Sequence, residues 1–261
     1  MPTARNGGVS LFYDTDGDGE TVAFVGDVGY GGWQWGWQHA AVAGPYESLV
    51  LDLRGSGRSD APDGPYTVGE LAQDVEVVLA DHGVRKAHLV GAGLGGMAAM
   101  QVARSSSRAK SLTLVGTAAS GAGLDLSRLY GTPTNPQELR SSLDAAFSPE
   151  FFAEQPDVVD QIVAWRGEED ADRAVWEAQA AAVERFDISD TLFELTTPTL
   201  VLHGTEDALW PVERGRELAE GLPRGEFSAV DGAGHLAHVE HSRVVNDRLL
   251  DFLAEQAADA E

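Results

Sequence analysis

The feature that most constrains the fold is an alternation of short apolar runs with helical segments. The apolar runs cover residues 9–14, 21–27, 46–53, 87–91, 111–116, 198–204 and 225–232. The helical segments cover residues 38–43, 68–82, 94–105, 212–221 and 238–254. Strands that alternate with helices in this way are typical of a mostly parallel sheet with helices on both faces. The sequence therefore predicts an α/β fold.

The first apolar run has a pattern of its own. Apolar and polar residues alternate over residues 9–14, and the sequence DGDG follows at 16–19. Alternation followed by a glycine-rich turn is typical of a β-hairpin. We therefore expect a hairpin-type turn between the first two strands.

The alternation is interrupted between about residues 118 and 190. This stretch begins with a segment rich in Gly, Ser, Thr and Pro and continues as polar helical segments with scattered large apolar side chains. No internal repeat or linker divides the chain. We therefore predict a single structural domain, in which residues 1–117 and 191–261 form the core and residues 118–190 form a helical cap inserted over the sheet.

The composition excludes several classes of protein. The chain has 261 residues, a formal charge of −24 and no cysteine. A chain without cysteine has no disulfide scaffold, no thiolate nucleophile and no Cys-ligated metal. A field this negative repels phosphates, so neither nucleic acid nor an anionic membrane surface is an expected partner. The N-terminus lacks an apolar signal region and no apolar run approaches the ~20 residues of a membrane span, which favours a cytoplasmic protein.

The basic residues are unevenly divided, because Lys86 and Lys110 are the only lysines among 18 basic side chains. An acidic, lysine-poor surface suits a protein that stays soluble in concentrated salt, where self-repulsion is screened. This indicates a halophilic cytoplasm. The alternative is an ordinary acidic protein from a genome of high GC content.

The segment HLVGAGLGGMAA at residues 88–99 admits two interpretations. It contains G-x-G-x-x-G between a strand and a helix, which is the pattern of a dinucleotide-binding turn. That turn also requires an acidic residue ~20 positions later, at the end of the next strand. The first acid after that strand is Asp125, and the motif lies in at least the third strand–helix unit rather than the first. We therefore expect no nucleotide and no other cofactor.

The second interpretation is a nucleophile elbow, the strained turn between a strand and a helix that carries G-x-S-x-G. Gly91 and Gly95 are the flanking glycines of that pattern, and Gly93 occupies the position of the serine. A glycine at that position avoids the strain of a side chain at positive φ, which costs roughly 1–3 kcal/mol. The same glycine removes the hydroxyl on which acyl-enzyme chemistry depends.

Four motifs in order resemble the α/β-hydrolase family, and in particular its 3-oxoadipate enol-lactonase-like branch. LVLDLRGSGRSDAPDGPYTVGELAQDV at 49–75 resembles the segment after the second core strand, and residues 88–99 resemble the elbow. PTLVLHGTEDALWPV at 198–212 and VDGAGHLAHVE at 230–240 resemble the segments that carry the acid and the histidine. The resemblance covers nearly the whole chain. It implies an α/β-hydrolase fold with a helical cap, and a small-molecule substrate or ligand.

The resemblance also assigns roles to individual residues. It implies Asp207 as the catalytic acid, His235 as the base, and the backbone N–H groups of Val28 and Leu94 as the oxyanion donors. The order elbow, Asp, His along the chain is the order found in α/β hydrolases.

The chain departs from the family pattern at two positions, the elbow position Gly93 and Asp27. Gly26-Asp27 stands where the family commonly has His-Gly. A carboxylate at position 27 that faces the pocket would oppose a developing oxyanion, act as a second acid or base, or bind a donor-rich ligand. The alternative is a carboxylate turned to solvent.

Other candidate residues favour structural roles. His235, His238 and His241 form H-x-x-H-x-x-H, but this spacing fans side chains around a helix and no acidic ligand set completes it, so we expect no metal and place the last two on the helix surface. Trp33, Trp35 and Trp37 are interpreted as packing residues at the mouth of the pocket, with Trp35 a candidate lining residue. Arg54 is expected to brace its loop. Ser56, Ser59 and Ser120 lie away from the elbow.

Three hypotheses of function follow. In the first, the Asp207–His235 pair acts as a general base on a small carbonyl, ester or lactone substrate without a covalent serine intermediate. In the second, the protein is a non-catalytic homologue that binds a small ligand under the cap. In the third, Gly93 is an engineered replacement in an ordinary serine hydrolase. Neither the substrate nor the oligomeric state follows from these residues.

Overall fold

A computed structural model describes residues 2–258 and contains an eight-stranded sheet in the order β1-β2-β4-β3-β5-β6-β7-β8. The strands are β1 Thr3–Asn6, β2 Val9–Asp16, β3 Thr21–Val25, β4 Glu47–Leu51, β5 Ala87–Ala92, β6 Ala109–Val115, β7 Thr199–Gly204 and β8 Gly225–Val230. The pairs β1–β2 and β2–β4 are antiparallel, and every pair from β4 to β8 is parallel. The predicted α/β fold with a mostly parallel sheet is confirmed.

Helices cover both faces of the sheet. They are α1 Gly36–Val42, α2 Val68–Asp81, α3 Leu94–Ser105, α4 Pro136–Ser142, α5 Pro149–Glu154, α6 Pro156–Glu169, α7 Arg173–Arg185, α8 Val212–Gly221, α9 Ala237–Glu240 and α10 Ser242–Ala258. Shorter 3-10 turns cover Gly32–Trp35, Leu126–Leu129, Leu143–Ala145 and Ser189–Glu194. Helices α2 and α3 pack together on one face, and α1 packs against α10 on the other. Each apolar face of the parallel strands is thereby covered, as a parallel sheet requires.

The beginning of the sheet differs from the sequence prediction in two respects. The DGDG segment does not join two paired strands, because β4 lies between β2 and β3, so the predicted hairpin turn is wrong. The turn instead leads β3 into the parallel part of the sheet. The sequence pattern also missed β1, a four-residue edge strand that pairs with β2.

The segment at 118–190, predicted as a cap, holds helices α4 to α7 between β6 and β7. Arg166 anchors this segment from within: its guanidinium is buried, bonds to Asp170, and donates to the backbone oxygens of Leu129 and Leu139. Residue 1 and residues 259–261 of the predicted core lie outside the described residues. Among residues 2–258, none of the helices has the length and apolarity needed to cross a bilayer.

The parallel strands end at one edge of the sheet. The loop after β3 carries Asp27, β5 ends at the turn of Gly93, and the loops after β7 and β8 carry Asp207 and His235. Open α/β sheets bind ligands at the carboxyl ends of their strands. The fold therefore brings to one place four residues that are up to 208 positions apart in the chain.

Candidate active site

The turn between β5 and α3 has the geometry of a nucleophile elbow. Gly93 lies at φ +46°, in the region that favours glycine, and its carbonyl oxygen accepts a hydrogen bond from the Thr117 hydroxyl at 2.8 Å. The flanking glycines are required by close packing. A Cβ on Gly91 would lie 2.4 Å from the backbone of Gly95, and one on Gly95 would lie 2.1 Å from the carbonyl oxygen of Val25.

The Asp207 carboxylate and the His235 ring form a buried pair. One oxygen of Asp207, Oδ2, accepts a hydrogen bond from Nδ1 of His235 at 2.8 Å. The other, Oδ1, accepts from the backbone N–H groups of Leu209 and Trp210, each at 2.9 Å. The Trp210 ring stacks on the His235 ring with centroids 6.0 Å apart. Both oxygens of the carboxylate are thus fixed, and the imidazole is oriented with Nε2 pointing away from Asp207.

Asp27 faces the interior, and its carboxylate completes the cluster. Oδ2 of Asp27 lies 2.8 Å from Nε2 of His235. Oδ1 accepts hydrogen bonds from the backbone N–H groups of Val28 at 2.7 Å and of Leu94 at 2.8 Å. These are the two donors that the sequence assigned to an oxyanion, and a side-chain carboxylate of the protein itself occupies them. Leu94 is also the first residue of α3, so the positive end of the helix dipole favours the negative charge there.

Asp27 and Gly93 fit one another because the first fills the space that a side chain on the second would take. A Cβ built on Gly93 would lie 1.9 Å from Oδ1 and 2.2 Å from Cγ of Asp27. Real Cβ atoms do not approach other heavy atoms that closely. The two departures from the family pattern, 66 positions apart, therefore concern the same space in the site.

The charges in the cluster hold His235 in its protonated form. Burial alone would lower the pKa of His235, but the carboxylates of Asp207 and Asp27 outweigh it and raise that pKa to about 10. Burial opposes the charge on Asp207 as well, yet His235 and His203 hold the pKa of that carboxyl well below its usual range. At neutral pH the imidazolium consequently lies between two carboxylates, with Nδ1–H donating to one and Nε2–H to the other.

The segment 118–190 lies directly over this cluster. Gln179 of α7 accepts from the backbone N–H of Gly29 at 2.6 Å and donates to the carbonyl oxygen of Arg54 at 2.9 Å. On the other side, Glu240 accepts from the N–H groups of Ser148 and Gly234, at 3.2 and 2.7 Å. The exposed fractions of Asp27, His235 and Asp207 are only 1, 2 and 7%. The three side chains of the cluster are therefore enclosed between the sheet edge and the segment 118–190.

Several buried side-chain donors have no acceptor within residues 2–258. They include the hydroxyl of Tyr30 and the indole N–H groups of Trp35, Trp176 and Trp210. The Trp176 ring lies against Gly29, where a Cβ would be 2.4 Å from the ring, and Tyr30 bonds through its backbone N–H to the carbonyl oxygen of Asp27. Burial raises the pKa of the Tyr30 hydroxyl, so it remains a donor over the whole neutral range. Tyr30 and Trp176 thereby pack around the loop that carries Asp27, whereas the Trp210 ring stacks on His235.

Sequence reasoning missed Tyr30, Trp176 and Gln179 as neighbours of the site, and it noted Glu240 only by its position after His235. The aromatic residues carry no motif, and the glutamine and glutamate act through backbone groups that only the folded chain brings to them. The G-Y-G-G sequence that follows Val28 signals close backbone packing. The side chains that pack against these glycines come from distant parts of the chain, and the G-Y-G-G sequence does not indicate which they are.

The structure places the remaining candidates away from the cluster. Trp35 is buried against Phe24 and His238, with ring centroids 5.2 and 4.4 Å away, in the apolar layer under α10. The prediction that His238 lies on the helix surface is wrong: the side chain is fully buried, because α9 packs inward beneath the sheet edge rather than along solvent. Burial lowers the pKa of His238 to about 3, so it is neutral.

The other predicted positions have structural contacts. Arg54 pairs with the buried carboxylate of Asp74 through Nε at 2.6 Å and Nη2 at 2.7 Å, as a bracing residue would. Ser56 and Ser59 bond to Gln179 and to the carbonyl oxygen of Asp52. Within the part of the chain that the structure describes, no group of three or more His, Asp or Glu side chains converges as metal ligands do.

Comparison with known proteins identifies the family. The family model for the alpha/beta hydrolase fold matches residues 29–242, which is most of the chain. This chain belongs to the α/β hydrolase fold family. The matched range includes the elbow and the loops of Asp207 and His235, and it begins two residues after Asp27.

Individual relatives extend the likeness. A protein of Azorhizobium caulinodans named "Putative carbamate hydrolase RutD" is 30% identical, and the match covers 98% of this chain and 99% of the relative. A 2-hydroxy-6-oxo-6-phenylhexa-2,4-dienoate hydrolase of Burkholderia cepacia is 29% identical over 91% of this chain and 89% of its own length. The solved enol-lactonase of Burkholderia xenovorans LB400 is 25% identical, with a TM-score of 0.84 over 97% of this chain and all of that one. These names describe enzymes of small molecules, in agreement with the predicted class of ligand.

Proposed function

We propose that this protein is a hydrolase for a small molecule that works without a serine, through a centre composed of Asp27, His235 and Asp207. The observation that carries the proposal is the double role of the Asp27 carboxylate. Oδ1 sits on the two backbone donors of an oxyanion site, while Oδ2 lies against Nε2 of His235. The Asp27 carboxylate and the His235 imidazolium thus form an acid–base pair, in which the proton donor, Nε2, already contacts the acceptor, Oδ2.

The pKa of His235 determines how the pair works. The ring is protonated at neutral pH and donates a proton first, whereas the Asp27 carboxylate accepts one. His235 serves as a general base, the role expected from the sequence, after it has given up its Nε2 proton. Asp207 fixes the ring and balances its charge throughout the cycle.

The substrate proposal follows the relatives and the sequence. Carbonyl compounds, esters and lactones are the first class to test, because relatives carry the names carbamate hydrolase and enol-lactonase. We include in the proposal that residues 118–190 act as the cap that selects the substrate, and that the protein works in the cytoplasm. The contacts of Gln179 and Trp176 with the loop after β3 support the first of these.

A second candidate is a homologue that binds a small ligand without converting it. The observation that favours it is that Asp27 already satisfies both oxyanion donors, so a tetrahedral oxyanion formed from substrate finds no free N–H there. The third hypothesis, an engineered glycine, is disfavoured because Asp27 fills the space of the replaced side chain. Sequencing the native gene tests it directly, and a glycine codon at position 93 ends it.

A substrate screen separates the first two candidates. Wild type, Asp27→Asn and His235→Gln are assayed on phenyl acetate, γ-butyrolactone, an aryl carbamate and styrene oxide. Asp231→Asn and His241→Gln serve as matched controls, because each removes the same kind of group from a position outside the cluster. We expect turnover by wild type and both controls, and a loss of at least ~100-fold in kcat/KM in the two centre variants.

Turnover that survives both centre variants would contradict the proposed centre. A rise in melting temperature on addition of a panel compound, with no product formed by wild type, would instead favour the binding homologue.

A further inference from the structure

The two oxygens of Asp27 are held in different environments, and the difference has a chemical meaning. Oδ1 receives two backbone N–H groups at 2.7 and 2.8 Å and is fixed. Oδ2 has His235 as its hydrogen-bond partner. If Oδ2 becomes bonded to a carbon atom, Oδ1 becomes the carbonyl oxygen of an ester and already lies between two oxyanion donors.

We infer that Asp27 is the nucleophile of this centre, occupying from the loop after β3 the space that the glycine at position 93 leaves open, and that its substrate is a small electrophile with an oxygen leaving group on a tetrahedral carbon, an epoxide in the first place. This inference rests on the proposed function and deepens it. Carboxylates are established covalent nucleophiles in enzymes. The assignment makes the two sequence departures, Gly93 and Asp27, parts of one mechanism.

The choice of electrophile follows from the stability of the product. Attack of a carboxylate on an ester or lactone carbonyl gives an acid anhydride, which is less stable than the ester consumed. Attack on a tetrahedral carbon gives an ordinary ester. The Nε2–H of His235 beside Oδ2 suits a leaving oxygen that needs a proton.

In the first step, Oδ2 of Asp27 attacks one carbon of the epoxide and the bond from that carbon to the ring oxygen breaks. The departing oxygen takes the Nε2 proton of His235 and becomes a hydroxyl group. Asp27 is now a neutral hydroxyalkyl ester and His235 is a neutral imidazole. One carboxylate beside the ring has been neutralised, which removes one of the two charges that favoured its protonated form.

In the second step, His235 takes a proton from water while the water oxygen attacks the ester carbon, Cγ of Asp27. The negative charge appears on Oδ1, which the N–H groups of Val28 and Leu94 already hold. The bond between Cγ and the alkyl oxygen then breaks. The alkyl oxygen takes the proton of the newly added hydroxyl and leaves as the diol. Asp27 is again a carboxylate with one oxygen from water, and His235 is again protonated.

Oxygen labelling in a single turnover tests the inference on the wild-type protein. An excess of enzyme converts styrene oxide, or 1,2-epoxyhexane as a second probe, in water enriched in oxygen-18. We expect the label in the peptide that contains Asp27 and an unlabelled diol, because the new oxygen of the first product comes from the carboxylate. Label in the diol and none in Asp27 would overturn the inference, as would no conversion of either epoxide.

A trapping experiment provides an independent measurement. His235→Gln lacks the base of the second step, and 1-bromobutane alkylates a carboxylate without needing a proton. We expect a butyl ester on Asp27 by intact mass, absent from the Asp27→Asn/His235→Gln double variant. Ester or lactone turnover that requires Asp27 and His235, without label at Asp27, would refute the nucleophile and leave the proposed function standing. No turnover of any compound would refute both.

Discussion

The two walls of the site come from the same edge of one sheet, yet they differ in how they relate to the family pattern. The wall made by the loops after β7 and β8 holds Asp207 and His235 in a hydrogen-bonded pair, as the motifs imply. In the wall made by the loop after β3 and the turn after β5, Gly93 has no side chain, and the Asp27 carboxylate fills the space that a side chain at position 93 would occupy. The two walls show that the space left by a missing side chain can be filled by a side chain from a different loop.

The largest expected effect comes from a variant that disturbs the contact between Gly93 and Asp27. Gly93→Ser places a Cβ against the Asp27 carboxylate at positive φ, so we expect a loss of roughly 3 kcal/mol or more in the free energy of unfolding and no serine-type activity. Asp27→Gly/Gly93→Ser removes the clash and frees both oxyanion donors. We expect it to regain most of the stability and to hydrolyse p-nitrophenyl acetate. Denaturant unfolding and an esterase assay give the two readouts.

The matched control for this test is Gly83→Ser, a substitution at φ +81° with no neighbouring atom within 4 Å of the added Cβ. It carries the backbone strain without the clash and should cost about 1 kcal/mol. Equal losses in Gly93→Ser and Gly83→Ser would contradict the reciprocal fit of Asp27 and Gly93.

The second prediction concerns the pH dependence of stability. The pKa of His235 is raised to about 10, so the stability it contributes is fully present below its ordinary pKa of about 6.5 and is lost as pH rises toward 10. His238 has a lowered pKa of about 3, so its contribution is present above about 6.5 and is lost as pH falls. We expect the free energy of unfolding to fall by a few kcal/mol on the alkaline side.

Two variants assign the limbs of this profile. His235→Gln should flatten the alkaline limb, and His238→Phe should flatten the part of the acid limb that begins near pH 6.5. An alkaline limb that is unchanged in His235→Gln would show that His235 carries no buried charge.

The third prediction compares the walls directly. Asp207 acts more strongly than Asp27 on the charge of His235, so Asp207→Asn should lower the pKa of His235 further than Asp27→Asn does. A difference of about one pKa unit corresponds to about 1.4 kcal/mol. NMR titration of the His235 ring measures both variants. A larger fall of the His235 pKa in Asp27→Asn than in Asp207→Asn would contradict the stronger influence of Asp207.

The smallest expected effect separates the buried centre from the surface. Molar KCl screens exposed charges, so a chain of charge −24 should gain several degrees in melting temperature. The His235 pKa should remain nearly unchanged because its partners are buried. A melting temperature that does not rise with salt would contradict the halophilic prediction.

The sequence predicted most of the sheet and one wall of the site, because both depend on local patterns. Strand and helix periods, and the segments around Asp207 and His235, are each contained in a few consecutive residues. The predicted hairpin turn at residues 16–19 was wrong because an alternating pattern does not indicate which strands pair, and β4 lies between β2 and β3 in the sheet. His238 failed because α9 is too short for its burial to show in a pattern.

The orientation of Asp27 was beyond the sequence for a different reason. The resemblance placed Asp27 where the family commonly has His-Gly, and the choice between pocket and solvent depended on a contact with a residue 66 positions away. Only the absence of a side chain on Gly93 makes that contact feasible. Gly93 and Asp27 each stand out within their own motif, but neither motif indicates that the two residues are in contact.

The mutual exclusion of a side chain at position 93 and the carboxylate at position 27 has a consequence for the history of the protein. A side chain at position 93 would displace the Asp27 carboxylate from the place it holds here, so we expect that the loss of a side chain at the elbow came before the gain of Asp27 or together with it. Relatives that share this architecture should show the two positions changing as a pair. A search for glycine at the elbow together with aspartate two residues after β3 should therefore collect a distinct lineage with its own chemistry.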